Sequence, residues 1–179
     1  MEALILLDNV TFRYPGEENT RDILRGLSLE IFPGDMVAVV GSNGSGKTTM
    51  LRHMNGLLVP QGGRVLVNGL DTRRKDQLMA IRRQVGLVFQ HPEDQIVATT
   101  VAEDVAFGPE NLGLSSAEIR ARVEQALKAV GLEEHAQRPP HMLSGGQTQR
   151  LALAGVLAMR PQVVLFDEAT TMLDPAGRL

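Results

Sequence analysis

Residues 36–49 read Met36-Val-Ala-Val-Val-Gly-Ser-Asn-Gly-Ser-Gly-Lys-Thr-Thr49. The first five are apolar and rich in β-branched side chains, a pattern that predicts a short buried strand. Gly41 to Thr48 then spell G-x-x-x-x-G-K-[ST], and a helical segment follows. Strand, glycine loop and helix in that order form the setting of a phosphate-binding loop. Gly41, Gly44 and Gly46 let the backbone approach phosphate oxygens with no Cβ in the way. Ser42, Asn43, Ser45 and Thr49 add further N–H groups to the same concavity, backed by the positive end of the helix dipole. Lys47 places a cation at the helix start, which the dipole disfavours until a polyphosphate is bound. Thr48 offers a hydroxyl oxygen suited to Mg²⁺. The bland alternative is an ordinary glycine-rich turn, and the motif alone names no particular nucleotide enzyme.

The chain has 179 residues, enough for one domain with a substantial core. A net charge of −3 argues against a general nucleic-acid binder. There are no cysteines, so neither disulfides nor thiolate metal sites are available. No apolar run reaches the roughly 20 residues of a membrane helix. The opening, Met1-Glu-Ala-Leu-Ile-Leu-Leu7, lacks the basic leader and apolar length of a signal peptide. The expectation is a cytoplasmic protein that meets a membrane only peripherally, through a partner.

The N-terminal part predicts an antiparallel β unit. Ala3–Val10 reads as a strand. Leu27, Leu29 and Ile31 alternate with Ser28, Glu30 and Phe32, as in a half-buried strand. Pro33-Gly34-Asp35 is a turn. Tyr14, the only tyrosine, is either ordinary packing beside the Pro15-Gly16 turn or a platform that stacks on a nucleotide base. After the glycine loop, Thr49–Leu58 predicts a helix, Arg64–Val67 a strand, and Asn68-Gly69 a hairpin turn. A surface helix over 75–83 and a buried strand over Val85–Phe89 follow, ending at Gln90. Residues 91–114 look like short pieces broken at Gly108-Pro109. Ser115 and Glu118 fit a capping box, and Ile119, Val123, Leu127 and Val130 mark one helix face closed by Gly131.

Leu143-Ser144-Gly145-Gly146-Gln147 begins another helix, with Ser144 and Gln147 as a capping box. Leu151–Met159 is apolar all round, so this helix is expected to be buried. Capping explains Ser144 and Gln147. It does not explain two adjacent glycines, which weaken a helix start unless something must come close to that backbone; an anion is the natural candidate. Val163–Phe166 is an apolar strand ending in Asp167-Glu168. Such an acidic end is often only a solvated turn. Beside a phosphate loop it reads as a Mg²⁺ ligand, Asp167, and a residue that orients or deprotonates water, Glu168.

Taken in order, these motifs resemble the nucleotide-binding cassette of ABC ATPases over essentially the whole chain. The resemblance implies an α/β P-loop NTPase fold. Its parts would be a mainly parallel core sheet, an N-terminal antiparallel β subdomain and an inserted α-helical subdomain over about 91–160, all within one cassette at 1–179. It further implies ATP and Mg²⁺ as cofactors, adenine stacked on Tyr14, and Gln90 as the glutamine linking Mg²⁺ to a membrane partner. Asp174 would be the D-loop aspartate. Cassettes of this family pair head to tail, so that Ser144–Gln147 of one subunit meets the ATP on the other's loop. His91-Pro-Glu-Asp-Gln95 and Glu103–Leu112 are similar to ATPases of energy-coupling-factor importers, which take up cobalt, nickel or vitamins. The implied partners are a second ATPase subunit, homomeric or heteromeric, a transmembrane coupling subunit and a substrate-binding membrane subunit, at the cytoplasmic face of the membrane. No nucleic-acid partner is implied.

Two departures from the family pattern stand out. Thr171 occupies a position where serine is common. The four histidines, His53, His91, His135 and His141, all precede the Asp167-Glu168 strand, so none stands at the family's switch-histidine position. The chain is therefore either a cassette continued in a longer protein or one lacking part of its catalytic apparatus. Three functions follow: an importer motor that hydrolyses ATP, a cassette that binds ATP without turning it over, and a soluble non-transport ABC ATPase.

Overall fold

The structure is a computed structural model and describes residues 2–15 and 22–168. The chain forms two compact units, residues 1–85 and 86–179.

The first unit is built on an antiparallel sheet of order β2-β1-β3-β4. Its strands are β1 (Ile5–Phe12), β2 (Leu24–Ile31), β3 (Gly62–Val67) and β4 (Leu70–Asp71). The central strand β1 buries Ile5, Leu7, Val10 and Phe12. The step from Leu7 to Val10 breaks strict alternation because the register shifts there on both flanking strands. Asn9, at a φ of 52°, is the extra residue of this bulge. Gly63 answers it from β3: its φ is 72°, and a Cβ would sit 2.3 Å from the carbonyl oxygens of both Asp8 and Asn9. Val67 pairs with Leu70, leaving Asn68 and Gly69 as a two-residue turn. Both have positive φ, the conformation for which Asn-Gly is favoured in hairpins.

Helix α1 (Lys47–Met54) packs on this sheet through Thr49, Met50, Leu51, His53 and Met54. It ends earlier than the expected Leu58, because Gly56 takes a left-handed φ of 70° directly after Asn55. Helix α2 (Leu78–Gln84) buries only Ile81 and is a surface helix as expected. The expected strand at Met36–Val40 does not form. These residues have no ladder partner among the described residues, and Met36 and Val40 are 100% and 92% exposed. An apolar β-branched run favours extended backbone, but a strand also requires a neighbour to receive its N–H and C=O groups.

His53 is fully buried in this unit. Its ring lies edge-on to Phe12, with centroids 4.6 Å apart, and Nδ1 is 2.7 Å from the Thr49 carbonyl oxygen. Burial pushes its pKa below the ordinary value, against the opposing pull of the Thr49 and Val59 carbonyls. The unfolded chain therefore binds a proton near pH 6.5 that the folded chain refuses. Stability contributed here is present above that pH and falls as the solution is acidified. Urea midpoints at pH 7.5 and 5.5 should differ less in His53→Gln than in the wild type. An equal loss in both proteins would refute this.

In the second unit, strands β5 (Val85–Val88) and β6 (Val163–Phe166) form a parallel pair. Helices α3 (Val101–Asn111), α4 (Ser116–Val130) and α5 (Gly145–Ala158) pack mutually around Val101, Val105, Val123, Leu127, Leu132 and Leu151. Residues 101–111 form one continuous helix, not short pieces. Pro109 lies inside it at the cost of one hydrogen bond. Gly108 is a packing position, since a Cβ would lie 2.5 Å from Met159 Sδ. The Ser115 cap is only half a box: its hydroxyl accepts from the Glu118 N–H, while the Glu118 carboxylate pairs with Arg122 at 2.7 Å. Arg122 also donates to the Ala158 and Met159 carbonyls, closing the C-terminal end of α5. The apolar body of α5 is buried as expected, including Leu151, Ala152, Ala154, Val156 and Ala158. Among the described residues no helix is long and apolar enough to cross a membrane.

Candidate functional site

The glycine loop leaves the turn at Phe32–Asp35, where the Asp35 carboxylate accepts from the Phe32 N–H at 2.9 Å. Gly41, Ser42, Asn43, Gly44 and Ser45 are all exposed, so their backbone is open to a ligand. Gly44 and Gly46 take φ of 76° and 97°. At Gly46 this left-handed residue is the N-cap of α1, and no side chain caps the helix. The first turn carries no acidic residue. Its N–H groups thus face outward at the positive end of the dipole without a competing carboxylate, which is the condition for binding a phosphate. Lys47 folds back over the loop, its Nζ donating to the carbonyls of Gly41 at 3.1 Å and Ser42 at 3.3 Å. It thereby bridges the loop's first residues.

Tyr14 lies beside this loop. Its hydroxyl is 3.3 Å from the Thr49 hydroxyl, and its ring packs edge-on to Phe12 with centroids 5.0 Å apart. The residue is only half-buried. The packing expectation is met on one edge, and the exposed remainder leaves the stacking role physically available.

The second unit holds the carboxylates. Asp167 directly follows β6 with only 5% of its surface exposed, and its N–H donates to the Val88 carbonyl at 3.0 Å. Glu168 follows with a φ of 52°, an uncommon value for a non-glycine residue and a frequent one at functional positions. Gln90 Nε2 donates to Glu168 Oε2 at 3.2 Å. Two residues separated by 78 positions, the glutamine expected at Mg²⁺ and the glutamate expected to orient water, are thus in contact.

Gln95 supports this contact in a way the sequence pattern did not reveal. Its Oε1 accepts from the Phe89 N–H at 2.7 Å, and its Nε2 donates to the Leu87 carbonyl at 3.0 Å. One side chain therefore satisfies the strand's exit as a neighbouring strand would, immediately before Gln90. Asp104 was also missed. It is buried in the first turn of α3, and its Oδ1 accepts from the N–H groups of Val97 and Ala98.

Ser144 and Gln147 form the expected reciprocal capping box on α5. Ser144 N–H donates to Gln147 Oε1 at 2.8 Å, and Gln147 N–H to Ser144 Oγ at 3.4 Å. A Cβ at Gly145 would meet nothing within 4 Å. Among the described residues no crowding therefore requires a glycine there. Asp174 lies outside the described residues.

Of the two residues expected to hold Mg²⁺, Thr48 is a half-buried hydroxyl on α1 in the first unit and Asp167 a buried carboxylate in the second, each an oxygen donor of the kind that ion takes. Among the described residues no group of three or more His, Asp or Glu side chains could hold a metal.

A sequence profile of the ABC transporter family matches residues 24–171. The energy-coupling factor transporter ATP-binding protein EcfA1 of Symbiobacterium thermophilum is 56% identical over 97% of this chain and 62% of its own length. The cobalt import ATP-binding protein CbiO of Syntrophus aciditrophicus is 50% identical over 98% of this chain and 62% of its own length. The chain thus spans about 62% of the length of these curated relatives. Among solved structures, cbiO1 of Clostridium perfringens, part of the transporter complex cbiONQ, superposes with a TM-score of 0.85 at 37% identity. That match covers 99% of this chain and 70% of cbiO1. A dimeric ATP-binding cassette in a post-hydrolysis state, with ADP and Pi bound, gives a TM-score of 0.87 at 36% identity. It covers 97% of this chain and 77% of that one. The outward-facing glycine loop, the capped Ser144–Gln147 helix start and these likenesses agree: the chain belongs to the ABC transporter ATP-binding family.

Proposed function

We propose that this cassette is the ATP-hydrolysing motor of an energy-coupling-factor importer for a metal ion, cobalt or nickel, or for a vitamin. The observation that carries the hydrolytic part is the Gln90–Glu168 contact at the end of β6. The importer class is supported by the names of relatives that are 56% and 50% identical.

In this reading Lys47 and the loop amides of residues 41–49 bind the β- and γ-phosphates. Tyr14 stacks on adenine. Thr48 would be the hydroxyl ligand of Mg²⁺ and Asp167 its carboxylate ligand, with Gln90 linking that ion to the membrane partner. Mg²⁺, when bound, supplies charge neutralisation on the phosphates. Glu168 accepts a hydrogen bond from the attacking water and fixes its direction. Phosphoryl transfer requires mainly positioning and charge stabilisation, and these groups are of the right kinds. Ser144, Gly145, Gly146 and Gln147, with Asp174, serve the ATP held by a second ABC ATPase subunit. A transmembrane coupling subunit and a substrate-binding membrane subunit complete the assembly, with the cassette peripheral on the cytoplasmic face.

The test is affinity purification of the tagged protein from solubilised membranes of its natural host. An integral membrane protein should co-purify stoichiometrically and stimulate ATP turnover. Recovery with ribosomes or RNA instead would overturn the importer reading.

A further inference from the structure

The Ser144–Gln147 box leaves one group unaccounted for. The Ser144 backbone N–H can only donate, so the atom of Gln147 facing it at 2.8 Å is the carbonyl oxygen. The other end of the amide is then NH₂, which can only donate. It lies 2.7 Å from Nε2 of His135. His135 Nε2 must therefore accept, and the proton of the neutral ring must sit on Nδ1. A single backbone N–H thus dictates the tautomer of a histidine twelve residues away. Nδ1 is itself buried with no hydrogen-bond partner among the described residues. The ring accepts that penalty in order to serve Gln147.

His135 is also held by its own segment. It closes the short turn Glu133–His135 after α4, and its N–H donates to the carbonyl of Leu132, a fully buried core residue. The carbonyls of Ala136 and Arg138 receive the N–H groups of Ala102 and Val101. The imidazole is thus mounted on backbone that is bonded to the first turn of α3.

The chemistry explains why a glutamine and a histidine are needed together. Glutamate would complete the capping box equally well, but would put a negative charge at the helix end that awaits an anion. Glutamine removes the charge and creates a spare donor that requires an acceptor. We propose that His135 is that acceptor and acts as a positioning residue: it sets the Gln147 side chain, and through it the first turn of α5, for the incoming nucleotide. This rests on the reading of the cassette as an ATPase.

The test compares His135→Phe, which keeps an aromatic ring but has no acceptor, with His135→Gln, which keeps an acceptor. Both are made in the full-length protein within its transporter complex. Phe should lower kcat about tenfold, as expected for misplacement of a positioning group. It should leave binding of N-methylanthraniloyl-ATP to the glycine loop unchanged. Gln should restore most of kcat. Nitrogen-15 NMR of the wild-type cassette should show the Nδ1–H tautomer of His135, and Gln147→Ala should release it. Wild-type kcat in His135→Phe would overturn the proposal. So would equal impairment of both variants with a shared fall in Tm, or an Nε2–H tautomer in the wild type. Failure of the wild type to bind or hydrolyse ATP would instead overturn the functional reading and the nucleotide role with it. The NMR spectrum would then still decide the His135–Gln147 pairing.

Discussion

Glu168→Gln should reduce steady-state ATP turnover by roughly a hundred- to ten-thousandfold, the range associated with loss of a general base. ATP binding should persist. The substitution is nearly isosteric, and the amide oxygen can still accept from Gln90 Nε2, so the local packing has no reason to change. What is lost is the charge. An amide neither attracts a proton from water nor builds negative potential behind the oxygen that attacks. With binding intact and the chemical step blocked, the nucleotide-bound pair of cassettes should accumulate, visible by size-exclusion chromatography in ATP. Turnover within twofold of the wild type would remove Glu168 from the mechanism.

Lys47→Ala should weaken ATP binding by about ten- to a hundredfold, the loss of one or two hydrogen bonds to a charged group. Lys47 now spends its Nζ on the Gly41 and Ser42 carbonyls. The same ammonium, on a flexible stem and within the glycine loop, can turn to a phosphate. Removing it costs the phosphate its point charge, while the bridge to the two carbonyls, which the wild type gives up to make that contact, offsets part of the loss. Titration calorimetry with ATP would measure the loss. Far-ultraviolet circular dichroism should remain unchanged, because α1 is anchored by Met50, Leu51 and Met54 on its buried face and not by Lys47. Wild-type affinity in the variant would contradict the assignment.

Features fixed by neighbouring residues were legible in the sequence. The Asn68-Gly69 turn needs two positive φ values in succession, and few other dipeptides supply them. The Ser144 and Gln147 box spans four residues and closes on itself. Gly131 ends α4 at a φ of 65° where the apolar stripe stops. Features that depend on distant partners were not legible. Gly108-Pro109 looks like a break until Met159 is seen to need the space beside Gly108. Gln95 and His135 are ordinary polar residues until folding places one against a strand end and the other against Gln147. The strand expected at 36–40 failed for the same reason: its residue types were right, but a ladder is a property of two segments.

That bare segment bears on how any self-association of residues 1–179 should be interpreted. Met36 to Val40 carries no charge or proline of its own, and the charge beside it, Asp35, is engaged with the Phe32 N–H. Such a run, exposed at Met36 and Val40, invites pairing with its copy on another molecule. An oligomer formed in this way would be indifferent to nucleotide and would grow with concentration and time. It could pass for a cassette pair on a sizing column. Only association that ATP induces and its removal reverses reports on the proposed pairing of cassettes.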